Sequence, residues 1–310
     1  MSEFDRPALV QFAQDSISRG SKSFRFASRL FDRTTRERVW LLYAWCRKCD
    51  DMADGQDHGG AMAAVTDPQE SLAAIRTLTA KALAGTPTGE PAFDCLGVVA
   101  RECGITARMA EDVIEGFALD AADWHPRRES DLYQYCYHVA GAVGVMMAVV
   151  MGVPADDDAT LDRACDLGLA FQLANIARDI AEDDAAGRCY LPDDWLATLD
   201  IGPGEHMKPH NRKKLALMGR WLADEAEQYE ASARVGAAHL PLRARWAVLS
   251  AAGIYGEIAR KVRAADSHAW DQRIFTSRPE KFRWVRKAFV DAIANNPRDT
   301  NRDMLWTRVR

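Results

Sequence analysis

Two stretches of this chain space carboxylates one helical turn apart, an arrangement that suits hard divalent cations. The first considered, Phe171 to Pro192, reads FQLANIARDIAEDDAAGRCYLP. At a helical step of about 100° per residue, Gln172, Asn175, Asp179 and Asp183 fall within about 80° of one another. Leu173, Ile176 and Ile180 adjoin this polar stripe, so the acids border the face that a helical bundle buries. An ionised carboxylate taken out of water costs roughly several kcal/mol unless it is paired or coordinated. The stripe has no cation of its own opposite its acids, and a divalent ion would supply one. In the other stretch, YAWCRKCDDMADG from Tyr43 to Gly55, Tyr43, Arg47, Asp50 and Asp54 share a helical face. Each stretch holds a further acid inside its gap, Asp51 in one and Glu182 in the other. Two such helices facing each other would wall a slot for hard cations.

Other chemistries fit less well. A lone acidic pair on a helix usually faces water, but two pairs, each continuous with Tyr, Arg, Gln or Asn, favour a site. A calcium loop from Asp50 fails, because its third position is Met52 and its twelfth is Ala61 instead of a bidentate Glu. Cys46 and Cys49 form a CxxC inside a helix with no second CxxC to complete a zinc site, so they are expected in the core. No HExxH occurs, and His206 and His210 span Pro209, which leaves the histidines structural or at the surface. Gly141 and Gly144 in YCYHVAGAVGVMM cost about 1 kcal/mol each against Ala in a helix. Close helix packing and a substrate groove below Tyr135 explain them equally well. Arg47, Arg178 and Arg188 suit bidentate phosphate recognition. Acids holding Mg2+ with arginines alongside attract a phosphate, since Mg2+ completes its octahedron with water and phosphate oxygens.

The elements that must position these residues are helices throughout, without a strand pattern or an internal repeat. Thr34 with Glu37 predicts a capped helix running to Gly55, and Asp67, Pro68 and Glu70 start another. Further helices are predicted over Ala92 to Cys103, Thr106 to Leu119, Leu132 to Val153, Leu161 to Ala186, Asn211 to His239, Leu242 to Ala265 and Pro279 to Ala294. No linker marks a boundary, so a single all-α domain over residues 1–310 is expected. The polar tail after Pro297 is expected to be loosely held. A chain of 310 residues can enclose a large core with a cavity. The net charge of -5 and the lack of a basic domain argue against nucleic acid. Seven cysteines in apolar settings and no signal-type run point to a reducing, cytoplasmic setting. The apolar run Val139 to Val153 is shorter than the roughly 18 to 20 residues of a membrane span.

Taken in order, Ser21-Lys22-Ser23-Phe24, YAWCRKCDDMAD, YCYHVAGAVG and FQLANIARDIAEDDAAGRCYLP resemble the squalene and phytoene synthase family, and bacterial phytoene synthases most of all. The resemblance extends through EPAF, EGFALD, LPLRARWA and AWDQR, nearly the whole chain. It implies an all-α isoprenoid-synthase helical bundle around a central cavity. The implied reaction is Mg2+-dependent head-to-head condensation of two geranylgeranyl diphosphates to phytoene through prephytoene diphosphate, with Mn2+ as an alternative metal and no NADPH. By motif position, Asp50, Asp54, Asn175, Asp179 and Asp183 would hold metal, with Asp51 and Glu182 weaker candidates. Ser21, Phe24, Tyr43, Arg47, Tyr135, Val139, Ala140, Gly144, Gln172, Arg178, Arg188, Tyr190 and Tyr255 would line the diphosphate and reaction zones.

Three rivals remain: a squalene or dehydrosqualene synthase using farnesyl diphosphate, an all-α Mg2+-dependent nucleotide pyrophosphatase, and a non-catalytic helical scaffold. A hydrocarbon product suggests peripheral membrane contact. Phe282, Val285 and Phe289, with Lys281, Arg283, Arg286 and Lys287 nearby, offer a face for it.

Overall fold

A computed structural model describes residues 4–20, 27–54, 68–122, 124–298 and 300–309, together with the backbone but not the side chain of Asp54. Ser21, Phe24 and the predicted Gly55 to Thr66 loop lie outside the described residues. Among the described residues there are helices and connections and no strand, as the sequence predicts. The chain divides into two compact units, Met1–Ala122 with Val145–Asp158, and Asp123–Gly144 with Ala159–Arg310.

The first unit holds α1 (Arg6–Gly20), α2 (Arg33–Asp54), α3 (Pro68–Leu83), α4 (Pro91–Cys103) and α5 (Ala107–Ala121). Helix α1 was not marked by a cap, yet Leu9, Ala13, Ser16 and Ile17 recur on one face and are buried. The cap of α2 is Asp32 instead of Thr34: Thr35 N–H donates to Asp32 Oδ1 at 3.0 Å. That bond holds the Asp32 carboxyl below its usual range. Glu37, read from sequence as the capping partner, instead receives Arg6 Nη1 at 2.8 Å and Arg33 Nε at 2.9 Å. Arg6 Nε also meets Glu102 at 2.5 Å, which ties α1 and α2 to α4. Inside, α2 buries Val39, Leu41, Leu42, Ala44, Trp45 and Cys49, and Trp45 Nε1 donates to Thr79 Oγ1 of α3 at 3.2 Å. This inner face leaves Tyr43, Arg47 and Asp50 at the helix edge, half-buried.

In the second unit, α6 (Glu129–Cys136) runs into a π-helical turn (Tyr137–Gly141) and then α7 (Ala142–Val150), whose residues from Val145 belong to the first unit. The single helix predicted over Leu132 to Val153 thus contains a π-turn at its glycine patch. Helix α8 (Asp158–Ala185), α9 (Asp193–Thr198), α10 (Arg212–Ala237), α11 (Leu242–Ala265) and α12 (Arg278–Ala294) follow. The missing side chains at the glycines admit α8. A Cβ on Gly144 would lie 2.5 Å from Ala164 O, and one on Gly141 would lie 2.8 Å from Leu169 Cδ1. Gly168 answers from α8, where a Cβ would lie 2.4 Å from Ala140 O. Of the two readings of this patch, close packing accounts for both of its glycines.

The tail corrects the expectation of a loose end. Arg302 pairs with Asp166 at 2.7 Å and Arg308 with Asp162 at 2.8 Å, so the described residues 300–309 are fastened to α8 by buried acids that composition alone does not disclose.

Candidate active site

On α2, one guanidinium organises the acids. Arg47 Nη1 lies 2.9 Å from Asp50 Oδ2, and Nη2 donates to Asp51 Oδ1 at 2.5 Å. Asp51 is buried and Asp50 half-buried, so Asp51 reads as the inner partner of Arg47 and Asp50 as the more outward acid. Burial pushes the Tyr43 phenol upward and the Cys46 thiol to about 12. Cys46 and Cys49 are free thiols held protonated by their apolar setting, which makes them poor metal ligands.

On α8, the predicted stripe lies along the helix edge. Gln172, Asn175, Arg178, Asp179 and Asp183 are half-buried beside the buried Leu173, Ile176 and Ile180. Arg178 clasps Asp179 with both nitrogens of its fork, Nε reaching Oδ1 at 2.7 Å. Arg273, unmarked by any spacing signal, reaches Asp179 Oδ1 at 3.0 Å and Glu182 Oε1 at 3.2 Å. The Asp183 carboxyl is pushed up to about 6 by burial and by the neighbouring Asp179 charge, against the pull of Arg188. Helix α8 is further pinned where Trp270 Nε1 donates to Ala177 O at 3.0 Å.

Beyond the helix, Gly187 takes a left-handed φ of +75°, where a side chain would be strained. This turns the chain so that Arg188 N donates to Asp183 O at 2.8 Å. Asp183, Arg188, Cys189, Tyr190 and His206, with Ile176, Ile180 and Leu191, line a small recess. His206 is 3% exposed, with Nε2 3.3 Å from Asp184 Oδ1 and a buried Nδ1 that lacks a partner. Burial lowers its pKa. Its four-residue spacing to His210 is interrupted by Pro209, so the sequence does not place it in this recess.

Aromatic rings stand along α8 and just beyond its end. Tyr135 is stacked between Trp124 at 5.1 Å and Tyr190 at 4.9 Å, and Phe171 stacks on Tyr255 at 4.3 Å. Burial pushes the Tyr255 phenol upward. Val139 and Ala140, in the π-turn, are half-buried. The second unit therefore brings together the α8 stripe, Arg188, Tyr190 and Tyr135, and it pairs Tyr255 with α8.

Among the described residues, no three His, Cys, Asp or Glu side chains form a ready-made metal cage. The donor chemistry still fits a hard cation. Asp179 and Asp183 are oxygen donors one turn apart, and burial with the neighbouring Asp179 charge raises Asp183, a cost that a bound cation relieves. Asp179 already draws two guanidiniums, and Asp50 draws one.

The squalene/phytoene synthase family model matches residues 17–280. A phytoene synthase of Pseudescherichia vulneris is 46% identical over 307 residues, covering 98% of this chain and 99% of the relative. A 15-cis-phytoene synthase of Pantoea ananas is also 46% identical, with 98% and 99% covered. A solved dehydrosqualene synthase in complex with ligand superposes with a TM-score of 0.80 at 26% identity, covering 94% of this chain and 98% of that one. The helical architecture, the two aspartate stretches and these likenesses agree, and the chain belongs to the squalene/phytoene synthase family.

Proposed function

We propose that this chain catalyses the phytoene synthase reaction, in which two geranylgeranyl diphosphates join head to head through prephytoene diphosphate and release diphosphate. The near-full-length identity to bacterial phytoene synthases carries this reading. Breaking an allylic C–O bond leaves an anion and a carbocation, so the chain must hold diphosphate while keeping water from the cation. Arg47, Arg178 and Arg188 would receive the diphosphate as fixed positive charge. Asp50, Asp54, Asn175, Asp179 and Asp183 would hold Mg2+, or Mn2+ in its place. That ion, when bound, would add positive charge at the leaving group. The Tyr255 ring, stacked on Phe171, would steady a cation through its π system, Tyr135 takes its catalytic role by motif position, and Ile176, Ile180 and Leu191 keep the recess apolar on one side. Ser21, Phe24, Tyr43, Gln172, Val139, Ala140, Gly144 and Tyr190 take substrate-lining roles by motif position. In this reading residues 1–310 act as one functional domain, because each unit carries one aspartate stretch. The reaction ends in proton loss and needs no NADPH.

The deciding experiment incubates purified chain and Mg2+ with farnesyl or geranylgeranyl diphosphate and identifies the hydrocarbon by mass. Phytoene from geranylgeranyl diphosphate supports the reading, and a product made only from farnesyl units refutes it.

Phytoene does not dissolve in water, and no helix among the described residues is long and apolar enough to cross a membrane. Helix α12 offers a peripheral contact: Phe282 is 72% exposed and shares a face with the exposed Phe289 and Ile293, while Arg278 and Arg286 lie on the same side. This face would rest on anionic lipid.

A further inference from the structure

Residues 300–309 form little more than a turn, yet their contacts converge on the elements that carry candidate site residues. Asp166 of α8 is 0% exposed. Its carboxylate receives Arg302 Nε at 2.7 Å and Nη2 at 2.8 Å, and Ser232 Oγ at 2.5 Å. One turn earlier, Arg308 Nε donates to Asp162 Oδ1 at 2.8 Å. Burial pushes Asp166 upward while Arg302 pulls it back. Removing Arg302 would leave a buried acid without its counter-charge, the costly way to break such a pair. Arg163, between the two acids, donates from Nη2 to Thr300 O at 3.2 Å.

The same segment reaches the π-turn. Trp306 N donates to Tyr229 OH at 3.1 Å, and the Trp306 ring lies 5.5 Å from Tyr137. Tyr137 opens the turn that contains Val139 and Ala140, and Ala140 O abuts Gly168 on α8. Single π-turns inside helices are rare and recur at functional sites. Here one is pressed against α8 by glycine contacts, and its first ring rests on the tail.

We propose that Arg302 is a positioning residue: through Asp166 it makes the C-terminal segment a brace that holds the π-turn and the first half of α8 in register for the reaction.

The test compares wild type, Arg302→Ala, Arg302→Lys and Trp306→Ala as full chains, well below their melting temperatures. For Arg302→Ala we expect kcat to fall about tenfold or more, with half-inhibition by inorganic diphosphate within about twofold of wild type. More substrate should leave as prenyl alcohol, because a displaced π-turn admits water. Amide hydrogen exchange over residues 137–144 should quicken by about tenfold. Arg302→Lys keeps the charge without the fork and should restore part of each effect. A folded Arg302→Ala chain with wild-type kcat, product partition and exchange overturns the brace. So does a loss of diphosphate affinity equal to the loss of kcat, which would mark general destabilisation. Should Arg302→Ala fail to fold, Trp306→Ala leaves the ion pairs in place and should still quicken exchange over 137–144 and lower kcat by about threefold. Wild-type behaviour of Trp306→Ala in both respects then overturns the proposal. Exchange needs no substrate, so the brace and the proposed reaction can fail separately.

Discussion

Arg273 lies 3.0 Å from Asp179 and 3.2 Å from Glu182, so a residue far along the chain sets the charge of the second aspartate stretch. With Arg178 on the same carboxylate, the acid carries two guanidiniums. A guanidinium there can turn to a phosphate, whose geometry it matches as well as a carboxylate's. Arg273→Ala should raise KM for prenyl diphosphate by about fivefold to tenfold, about 1 to 1.4 kcal/mol. Steady-state kinetics at saturating Mg2+ checks this. An unchanged KM would make Arg273 a surface partner only.

Asp50 and Asp179 should be needed in the same step. Asp50→Asn and Asp179→Asn should each lower kcat/KM by about a hundredfold to a thousandfold with helicity retained by circular dichroism. If they act as a unit, the double variant should lie within about tenfold of the worse single one. Chelation with EDTA should abolish turnover and added Mg2+ should restore it. Wild-type turnover in the double variant would refute the role of both aspartates in the reaction.

Gly168 is the tightest contact between α8 and the π-turn, since a Cβ there would lie 2.4 Å from the backbone oxygen of Ala140. Backbone cannot rotate away as a side chain can. Gly168→Ala should therefore destabilise by about 1–3 kcal/mol and lower Tm by several degrees in a thermal melt. An unchanged Tm would mean that the helices separate freely.

Helix extents were legible because apolar periodicity and Gly or Pro punctuation act locally, as at Thr106, which accepts from Met109 N at 3.3 Å. Arg273 and the tail were not, because their roles depend on pairing across long separations, 91 residues for Arg273 with Glu182 and 136 for Arg302 with Asp166. Asp162 and Asp166 show the limit of spacing arguments. They stand four apart on α8, as Asp179 and Asp183 do, yet arginines of the tail satisfy them. Spacing shows which acids share a face, and only the fold shows what answers their charge.

Glu280 caps α12 through one oxygen. Its Oε2 accepts from Ser277 N, Ser277 Oγ and Lys261 Nζ, each at 2.7 Å. The Lys261 bond leads in pushing this carboxyl from 4.5 down to about 2. A depressed acid adds stability that is full above its unfolded pKa and disappears as pH falls through the folded one. Wild type should therefore melt above Glu280→Gln at pH 7, with the gap closing between pH 4.5 and about 2. Thermal melts across that range check it, and a gap independent of pH would remove the carboxylate from the account.

The α12 face should bind anionic lipid and ignore neutral lipid. Its apolar side chains supply burial at about 25 cal/mol per Å², and Arg278 and Arg286 supply attraction that salt screens. A second copy of the chain would bring the same arginines against themselves, so self-association through this face is disfavoured. Flotation with phosphatidylserine vesicles should recover the wild type, and Phe282→Ser with Ile293→Ser should weaken partition by about tenfold. Arg278→Glu with Arg286→Glu should abolish the preference for anionic over phosphatidylcholine vesicles. If the wild type floats with neither vesicle, or if light scattering shows a dimer that Phe282→Ser dissolves, the face belongs to another chain and not to a bilayer.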